Sequence, residues 1–323
     1  MSIAAVVKRL HRAAEPAMLA TLIATEGHSY RKAGAVMLFQ GEESVGTLSP
    51  GCLESDLKLR LPALWASGLP ETVEYNMTSP DDFSWGEATG CGGKIRIVLE
   101  PVSGTLRELL LEAGEALEAG KSATLLRTRS GRGYSYRLDV SEPGGEAERP
   151  LRGRLDEERF ATVFEPEPRL VLFGAGHDAG PIAELAVRSG FRLAVADWRE
   201  GSLQSPFPAE QRIICPPREA ARRLDIGPGD YVLICSHQFQ RDREFLERLL
   251  PLEPAYIGII GSQARIGLLT EGLPVPSSLH APAGLAIGSE GPEEIAVSIA
   301  AELIAVRRRN GRRTGGRLRA AQM

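Results

Sequence analysis

Two cysteines of this 323-residue chain lie in glycine-rich turns, which makes them the first candidates for chemistry. Cys52 stands in the segment Gly-Cys-Leu-Glu, and Cys91 stands in the segment Gly-Cys-Gly-Gly. A glycine beside a thiol removes side-chain bulk and lets the backbone come close to a ligand. We therefore treat Cys52 and Cys91 as candidate catalytic and ligand-binding residues. The alternative is that both are simply small residues that pack in turns.

The other two cysteines, Cys215 and Cys235, end apolar runs and are predicted to be small buried hydrophobic residues. The chain has no Cys-x-x-Cys pattern and no iron–sulfur spacing, so no structural metal site is predicted. Four cysteines do not make a disulfide scaffold. The composition therefore suits a reducing, cytoplasmic environment.

The net charge and the hydropathy of the chain limit the kinds of partner that we expect it to bind. Lys and Arg number 38 against 42 Asp and Glu, which gives a formal net charge of −4 and does not suggest a nucleic-acid binder. Charged residues interrupt the first twenty positions, so we expect no secretory signal. No apolar stretch approaches the length of a membrane span, so we expect no membrane partner.

The first half of the chain predicts a mixed α/β domain, with helical spacing of apolar residues over Leu53–Trp65 and Leu106–Ala119. Three runs predict strands: Met18–Thr25, Ala35–Phe39 and Lys94–Leu99. Two further runs, Ser122–Thr128 and Tyr134–Val140, predict a hairpin. The segment Glu165–Pro168 carries two prolines, which disfavour both helix and ladder. We therefore place a domain boundary there, with residues 1–165 as the first domain.

Beyond the boundary, short apolar strands alternate with helices. The strands are Arg169–Phe173, Phe191–Ala196, Gln211–Cys215, Tyr231–Ser236 and Ala255–Ile260. The helices are Asp178–Ser189, Arg218–Leu224, Arg241–Leu250, Ser262–Thr270 and Pro292–Arg308. This alternation predicts a Rossmann-like, doubly wound parallel sheet over residues 166–308. The arginine-rich residues 309–323 are predicted to be a disordered basic tail.

A phosphate-binding loop is predicted after the first of these strands. Gly174, Gly176 and Ala179 fit the pattern G-x-G-x-x-A, and His177 lies within it. Asp197 ends the next strand, where a carboxylate can hydrogen-bond ribose hydroxyls. The pattern favours NAD or another nucleotide with a free ribose over NADP, because Asp197 opposes the phosphate that the neighbouring Arg199 would favour.

His237 follows the strand Tyr231–Ser236 and is a further catalytic candidate, since ligands bind at the carboxyl ends of parallel strands. His177 could serve as acid or base as well. The alternative for His237 is a histidine bonded to nearby backbone. No hydride-transfer set of residues accompanies either one. An NAD-dependent oxidoreductase and a nucleotide-binding redox or regulatory sensor therefore remain open.

Several motifs in order resemble those of the XdhC/CoxI family of xanthine dehydrogenase accessory proteins. They are Gly46–Glu54, Trp85-Gly86, Gly90–Gly93, Gly174–His177, Tyr256–Ser262, Pro282–Gly288 and Pro292–Ile299. The resemblance extends from about Gly27 to Arg307. The resemblance implies that five residues of the first domain belong to the signature loops of this family: Cys52, Glu54, Cys91, Gly92 and Gly93. A strand-end His-plus-Asp feature of the family maps onto His237 and Asp242.

The resemblance implies a maturation chaperone and not the hydroxylase itself. Such a protein binds molybdenum cofactor (molybdopterin), protects it while its terminal sulfur is installed, and delivers it to an apo-molybdenum hydroxylase such as xanthine dehydrogenase. The implied partners are that hydroxylase, a cysteine desulfurase or sulfurtransferase, and a second copy of the chain in a homodimer. Soft thiolates suit a metal held by dithiolene sulfurs, so the two loop cysteines are compatible with this cargo.

Overall fold

A computed structural model describes the chain over residues 3–12, 16–77, 93–142, 158–202 and 208–316. The chain divides into two compact units, Met1–Pro166 and Glu167–Met323. Among the described residues, no helix has both the length and the apolar character that a bilayer crossing requires.

The first unit contains three helices and eight strands within its described residues. The helices are α1 (Ile3–Arg12), α2 (Cys52–Ser67) and α3 (Gly104–Glu118). The strands are β1 (Ala17–Gly27), β2 (Val36–Gln40), β3 (Glu43–Gly46), β4 (Glu71–Asn76), β5 (Gly93–Pro101), β6 (Ser122–Ser130), β7 (Gly133–Ser141) and β8 (Arg159–Phe164). An antiparallel five-stranded sheet has the order β3-β2-β1-β5-β4, and a three-stranded sheet has the order β7-β6-β8.

Both faces of the five-stranded sheet are covered. Leu19 of β1 packs with α1, α3 and the three-stranded sheet, whereas Met18 and Ala20 pack with α2 on the other face. Alternation of side chains along a strand places neighbours on opposite faces. Because each face of β1 is buried, the strand is apolar at consecutive positions.

One buried ion pair joins the two sheets of this unit. Arg127 of β6 and Glu100 of β5 are fully buried, and their Nε and Oε2 atoms lie 2.8 Å apart. Arg127 also donates to the hydroxyl of Thr162 on β8 at 2.8 Å and lies over the ring of Phe160. These contacts tie three strands together but offset only part of the desolvation, since burial raises the pKa of Glu100 despite the pairing with Arg127.

The second unit is a parallel sheet wrapped by helices. Its strands are β9 (Arg169–Phe173), β10 (Arg192–Asp197), β11 (Gln211–Ile214), β12 (Tyr231–Ile234), β13 (Tyr256–Ile259) and β14 (Leu279–His280). Its helices are α4 (Ala179–Arg188), α5 (Pro217–Arg223), α6 (Phe239–Leu249), α7 (Gln263–Thr270) and α8 (Gly291–Gly316). The strand order is β11-β10-β9-β12-β13-β14.

This order confirms the predicted doubly wound fold. Residues of α5, α6 and α7 pack on one face of the sheet, and residues of α4 and α8 pack on the other. The order of the strands reverses between β9 and β12, and ligands of such folds bind at the carboxyl ends of the strands beside this reversal. The fold therefore places its candidate site at the loops that follow β9 and β12.

The predicted helices and strands agree with the structure, with two kinds of difference. The sequence patterns do not predict α1, β3, β4, β8 or β14. Helix α8 continues to Gly316, so the first residues of the predicted tail are helical. Arginine is a good helix former, and a helix already anchored by its buried face extends easily into such a segment.

Candidate functional site

The first cysteine motif forms the start of a helix. Helix α2 begins at Cys52, directly after Gly51, whose φ of 132° favours glycine. The apolar positions Leu53, Leu57 and Leu61 are buried beneath the helix, as their spacing predicts. The helix is therefore anchored along its length, and Cys52 occupies its first turn.

Glu54 fixes the loop that precedes this helix. Its Oε1 atom accepts hydrogen bonds from the amides of Leu48 at 2.9 Å and Ser49 at 2.7 Å, and the Ser49 hydroxyl donates to Oε2. Burial raises the pKa of Glu54, but the hydrogen bonds from Ser49 and Leu48 outweigh it, so the pKa is lowered overall. A buried, ionised Glu54 thus holds the loop from inside.

A cleft of about 260 Å³ opens beside this motif, and Met37 and Pro50 contribute apolar surface to it. Its lining includes Thr47, Ser49, Gly51 and Lys58. Arg31 lies next to the cleft, with its Nη1 atom 3.5 Å from the hydroxyl of Thr47. Glu54 is already held by its own loop, so the polar groups of the cleft are hydroxyls and Lys58, with Arg31 beside it.

The second cysteine motif reaches the same end of the sheet. Gly93 begins β5 and pairs with Gly27, the last residue of β1. Gly46, which ends β3, lies on the same side but is aligned through Met37 with Ala20, so β1 continues seven residues further to Gly27. We call this end of the five-stranded sheet the cysteine end. Cys91 and Gly92 lie outside the described residues, so their predicted roles stay predictions.

The turn that follows β1 touches both motifs. A Cβ atom on Gly93 would collide with the backbone oxygens of Glu26 and His28, so only glycine fits there. Arg31 of the same turn contacts Thr47 of the first motif. The sequence gives no sign of these contacts, which connect loops far apart along the chain.

The glycine loop of the second unit packs closely against the loop after β12. Gly174 has a φ of 110°, and a Cβ atom there would lie 2.5 Å from the Cα of Ser236. At Gly176 the nearest atom to such a Cβ would be the Cys235 carbonyl oxygen, at 4.0 Å. Gly174 is therefore required by contact between the two loops, while the loop surface at Gly176 is open.

Asp197 is fully buried at the end of β10. Its Oδ2 atom accepts from the amide of Ala175 and from Nη2 of Arg199, at 2.8 and 2.7 Å. Its Oδ1 atom accepts from the amide and Nε of Arg199, at 2.8 and 3.0 Å. Burial raises the pKa of Asp197, but these hydrogen bonds outweigh it, so the net shift of the pKa is downward. Asp197 therefore holds the glycine loop through Ala175.

His237 is exposed and has a left-handed backbone, with a φ of 60°. Its Nε2 atom lies 2.8 Å from Oδ2 of Asp178, in the glycine loop. Asp242, the other residue of the strand-end feature, is buried and bonded to Ser236 and, at 2.6 Å, to Arg265. Burial raises the pKa of Asp242. His237 and Asp242 thus lie at the same end of the sheet, and each is bonded to its own partners.

Three residues at this end carry contacts that the sequence patterns do not predict: Asp178, Ser236 and Arg265. Asp178 lies beside a predicted site residue, the exposed His177, and its position two residues after Gly176 is the one available signal. Ser236 directly precedes His237. Arg265 is 23 residues from Asp242, and no local pattern points to it.

The remaining cysteines are structural. Cys215 and Cys235 are buried, as predicted. Burial raises the pKa of both thiols, which makes them poor nucleophiles. The Sγ atom of Cys235 lies 3.2 Å from the carbonyl oxygen of Gly174, so this thiol supports the glycine loop from below.

Two protein-family models match the chain. The XdhC Rossmann domain matches residues 170–303. The XdhC and CoxI family matches residues 10–76, which contain the first cysteine motif.

Curated proteins and solved structures match over most of the chain. A protein of Bacillus subtilis, named as a probable subunit of xanthine dehydrogenase, is 36% identical over 311 residues, 91% of this chain and 94% of that protein. The molybdenum cofactor insertion chaperone PaoD of Escherichia coli is 24% identical over 90% of this chain and 83% of its own length. The crystal structure of a xanthine dehydrogenase from Bacillus halodurans is 39% identical, with a TM-score of 0.86, and the match covers 95% of this chain and 96% of that one.

The matched residues include both the first cysteine motif and the glycine loop. Both units of the structure are included in them. The chain belongs to the XdhC and CoxI family.

Proposed function

We propose that this protein is an accessory factor that binds molybdenum cofactor and delivers it to a molybdenum hydroxylase of the xanthine dehydrogenase type. The observation that carries the proposal is similarity along nearly the whole chain to two proteins, one named for xanthine dehydrogenase and one named as a cofactor insertion chaperone. The cargo is held temporarily, so the role requires a binding site.

The cysteine end supplies suitable groups for such cargo. Cys52 begins α2 at this end, and Cys91 stands two residues before Gly93 in the sequence. Thiolates are soft ligands that suit a molybdenum centre or its sulfur donor. Arg31 and Lys58 are the cations beside the cleft and could pair with the phosphate of the pterin. Glu54 contributes by fixing the loop and not by contact with the cargo.

The proposal also covers sulfuration of the cofactor, the location of the protein and its oligomeric state. The protein protects the cofactor while a cysteine desulfurase or sulfurtransferase installs the terminal sulfur, and it acts in the cytoplasm as a homodimer. Sulfur transfer needs a thiol that the donor protein can approach, and Cys215 and Cys235 are excluded by their burial. Cys52 and Cys91 are then the candidates for this step.

Purification from a host that makes the cofactor tests the proposal. The protein should carry a pterin that becomes fluorescent after acid oxidation, and it should activate an apo-hydroxylase when the two are mixed. A matched preparation from a host unable to make molybdopterin should show neither property. A protein without pterin that also fails to activate the hydroxylase would contradict the proposed function.

An NAD-dependent oxidoreductase is the second candidate, favoured by the strand order and by the open loop surface at Gly176. It predicts turnover of a bound nicotinamide without any pterin. A nucleotide-binding sensor is the third, and it predicts a partner interaction that depends on nucleotide, with no cofactor transfer. The same purification separates all three, because only the accessory factor yields pterin fluorescence together with hydroxylase activation.

A further inference from the structure

The carboxyl end of the parallel sheet departs from the geometry that a ribose diol requires. In dinucleotide-binding folds, an acidic residue after the second strand accepts hydrogen bonds from the ribose hydroxyls. Asp197 occupies that position, but it is fully buried and each of its oxygens already accepts two hydrogen bonds. A carboxylate so engaged has no exposed oxygen for a diol.

Arg199 is exposed at this end of β10, as is the next residue, Glu200. Its side chain is 44% exposed, although Nε and Nη2 are held by Asp197. The guanidinium also lies 5.0 Å from the ring centroid of Trp198, which in turn packs against Phe173 of β9. Among the described residues, no acceptor is bonded to Nη1 of Arg199. The guanidinium is therefore preorganised, and within the described part of the chain its Nη1 edge has no hydrogen-bond partner.

We propose that the carboxyl end of this sheet selects a nucleotide that carries a phosphate on its adenosine ribose, with Arg199 as the specificity-determining residue. The free edge of a fixed guanidinium is suited to a phosphate, which it binds through charge-assisted hydrogen bonds. An arginine near this position is the usual means of accepting a 2′-phosphate. Asp197 acts as a positioning residue, because it orients Arg199 and ties it to the glycine loop through Ala175.

The preference for NAD that the sequence pattern predicts is thereby reversed. An aspartate at the strand end indicates a ribose diol only when its oxygens are free. Here the residue two positions later folds back onto it, a contact that the pattern of residue types does not reveal. The nucleotide preference is independent of the proposed cofactor role, because it concerns the second unit and a separate ligand.

The test compares the affinities of NADP⁺ and NAD⁺ for the full-length protein by titration calorimetry. We expect NADP⁺ to bind about tenfold more tightly or better, the effect of one charge-assisted hydrogen bond. Arg199→Gln should remove that difference in affinity. Arg192→Gln is the matched control, because Arg192 begins β10 at the opposite end of the strand and pairs with Glu210.

The unmodified protein alone can overturn the proposal, so the test does not depend on how a variant folds. Equal affinity for NAD⁺ and NADP⁺, or binding of neither at millimolar concentration, would refute it. An unchanged NADP⁺ affinity in Arg199→Gln would refute the role of that side chain. If Arg199→Gln instead lowers only the pterin content of the purified protein, the phosphate is that of the cofactor and the nucleotide assignment is wrong.

Discussion

Removal of the Glu54 carboxylate should loosen the loop before Cys52 without unfolding the protein. In Glu54→Ala, the buried amides of Leu48 and Ser49 lose their acceptor, and the Ser49 hydroxyl loses its partner. Each buried donor left unpaired costs about 1–3 kcal/mol. The adjoining cleft lets water reach part of this loop, so we expect a total loss of about 2–4 kcal/mol.

Glu54→Gln is the matched variant. Its side-chain carbonyl can still accept from the two amides, but its amide nitrogen cannot accept from Ser49. We expect a loss of about 1 kcal/mol, the typical net value of one hydrogen bond. The difference between the two variants separates the acceptor role of Glu54 from its charge.

The same carboxylate predicts a pH dependence. Because the folded-state pKa of Glu54 is lower than its ordinary value, the ionised form is favoured by folding. Its stabilising contribution is present in full above about pH 5 and is lost as the pH falls through the folded-state pKa. Glu54→Gln removes this ionisable group. The free energies of unfolding of the variant and of the unmodified protein should therefore be most similar at acidic pH.

Urea unfolding at pH 7 and at pH 4 measures these effects, together with amide hydrogen exchange in a peptide covering residues 46–54. A loss of about 2–4 kcal/mol should lower the urea midpoint by about 1–2 M for a slope near 2 kcal/mol/M. Exchange at Leu48 and Ser49 should accelerate in Glu54→Ala. If Glu54→Ala unfolds at the same urea concentration with unchanged exchange, the carboxylate does not hold this loop.

The cysteines and the buried ion pair should respond to substitution in different ways. Cys52→Ala and Cys91→Ala should each lower pterin content or hydroxylase activation while thermal unfolding stays unchanged; activation by both variants at the unmodified rate would mean that the two loops only pack. Cys215→Ala should lower the free energy of unfolding by about 1 kcal/mol through lost packing and leave cofactor transfer unchanged, as calorimetry and the activation assay would show. Arg127→Met should cost about 3–5 kcal/mol in urea unfolding because it strands a buried Glu100, and adding Glu100→Leu should restore most of the loss; a double variant as unstable as the single one would contradict this reasoning.

Local patterns are sufficient for most elements of the fold. The spacing of Leu53, Leu57, Leu61 and Leu64 predicts α2, and all four side chains are buried beneath it. Alternation of strands and helices predicts the parallel sheet, since connections between parallel strands need a crossover. These signals are short in range and strong, because burial imposes a period on the sequence.

The contacts within the candidate sites cannot be predicted in the same way. His237 and Asp178 are 59 residues apart, and they meet only because β9 and β12 are neighbours in the sheet. The sequence pattern puts His237 at a strand end but does not identify its acceptor. Asp197 and Arg199 are close in sequence, and yet their ion pair cannot be predicted either. Their pairing depends on rotamers and on burial, which residue types alone do not determine.

Two of the motif glycines, Gly93 and Gly174, have a packing role that the sequence pattern does not indicate. Glycine beside a functional residue indicates space for a ligand, but at Gly93 and Gly174 that space is filled by the backbone of another loop. At Gly93 the neighbour is the turn that carries Arg31, and at Gly174 it is Ser236, beside His237. In each unit, a glycine allows two loops to pack closely enough for their side chains to share one site. Gly93 and Gly174 are therefore part of how each site is assembled, and their predicted part in ligand binding stays a prediction.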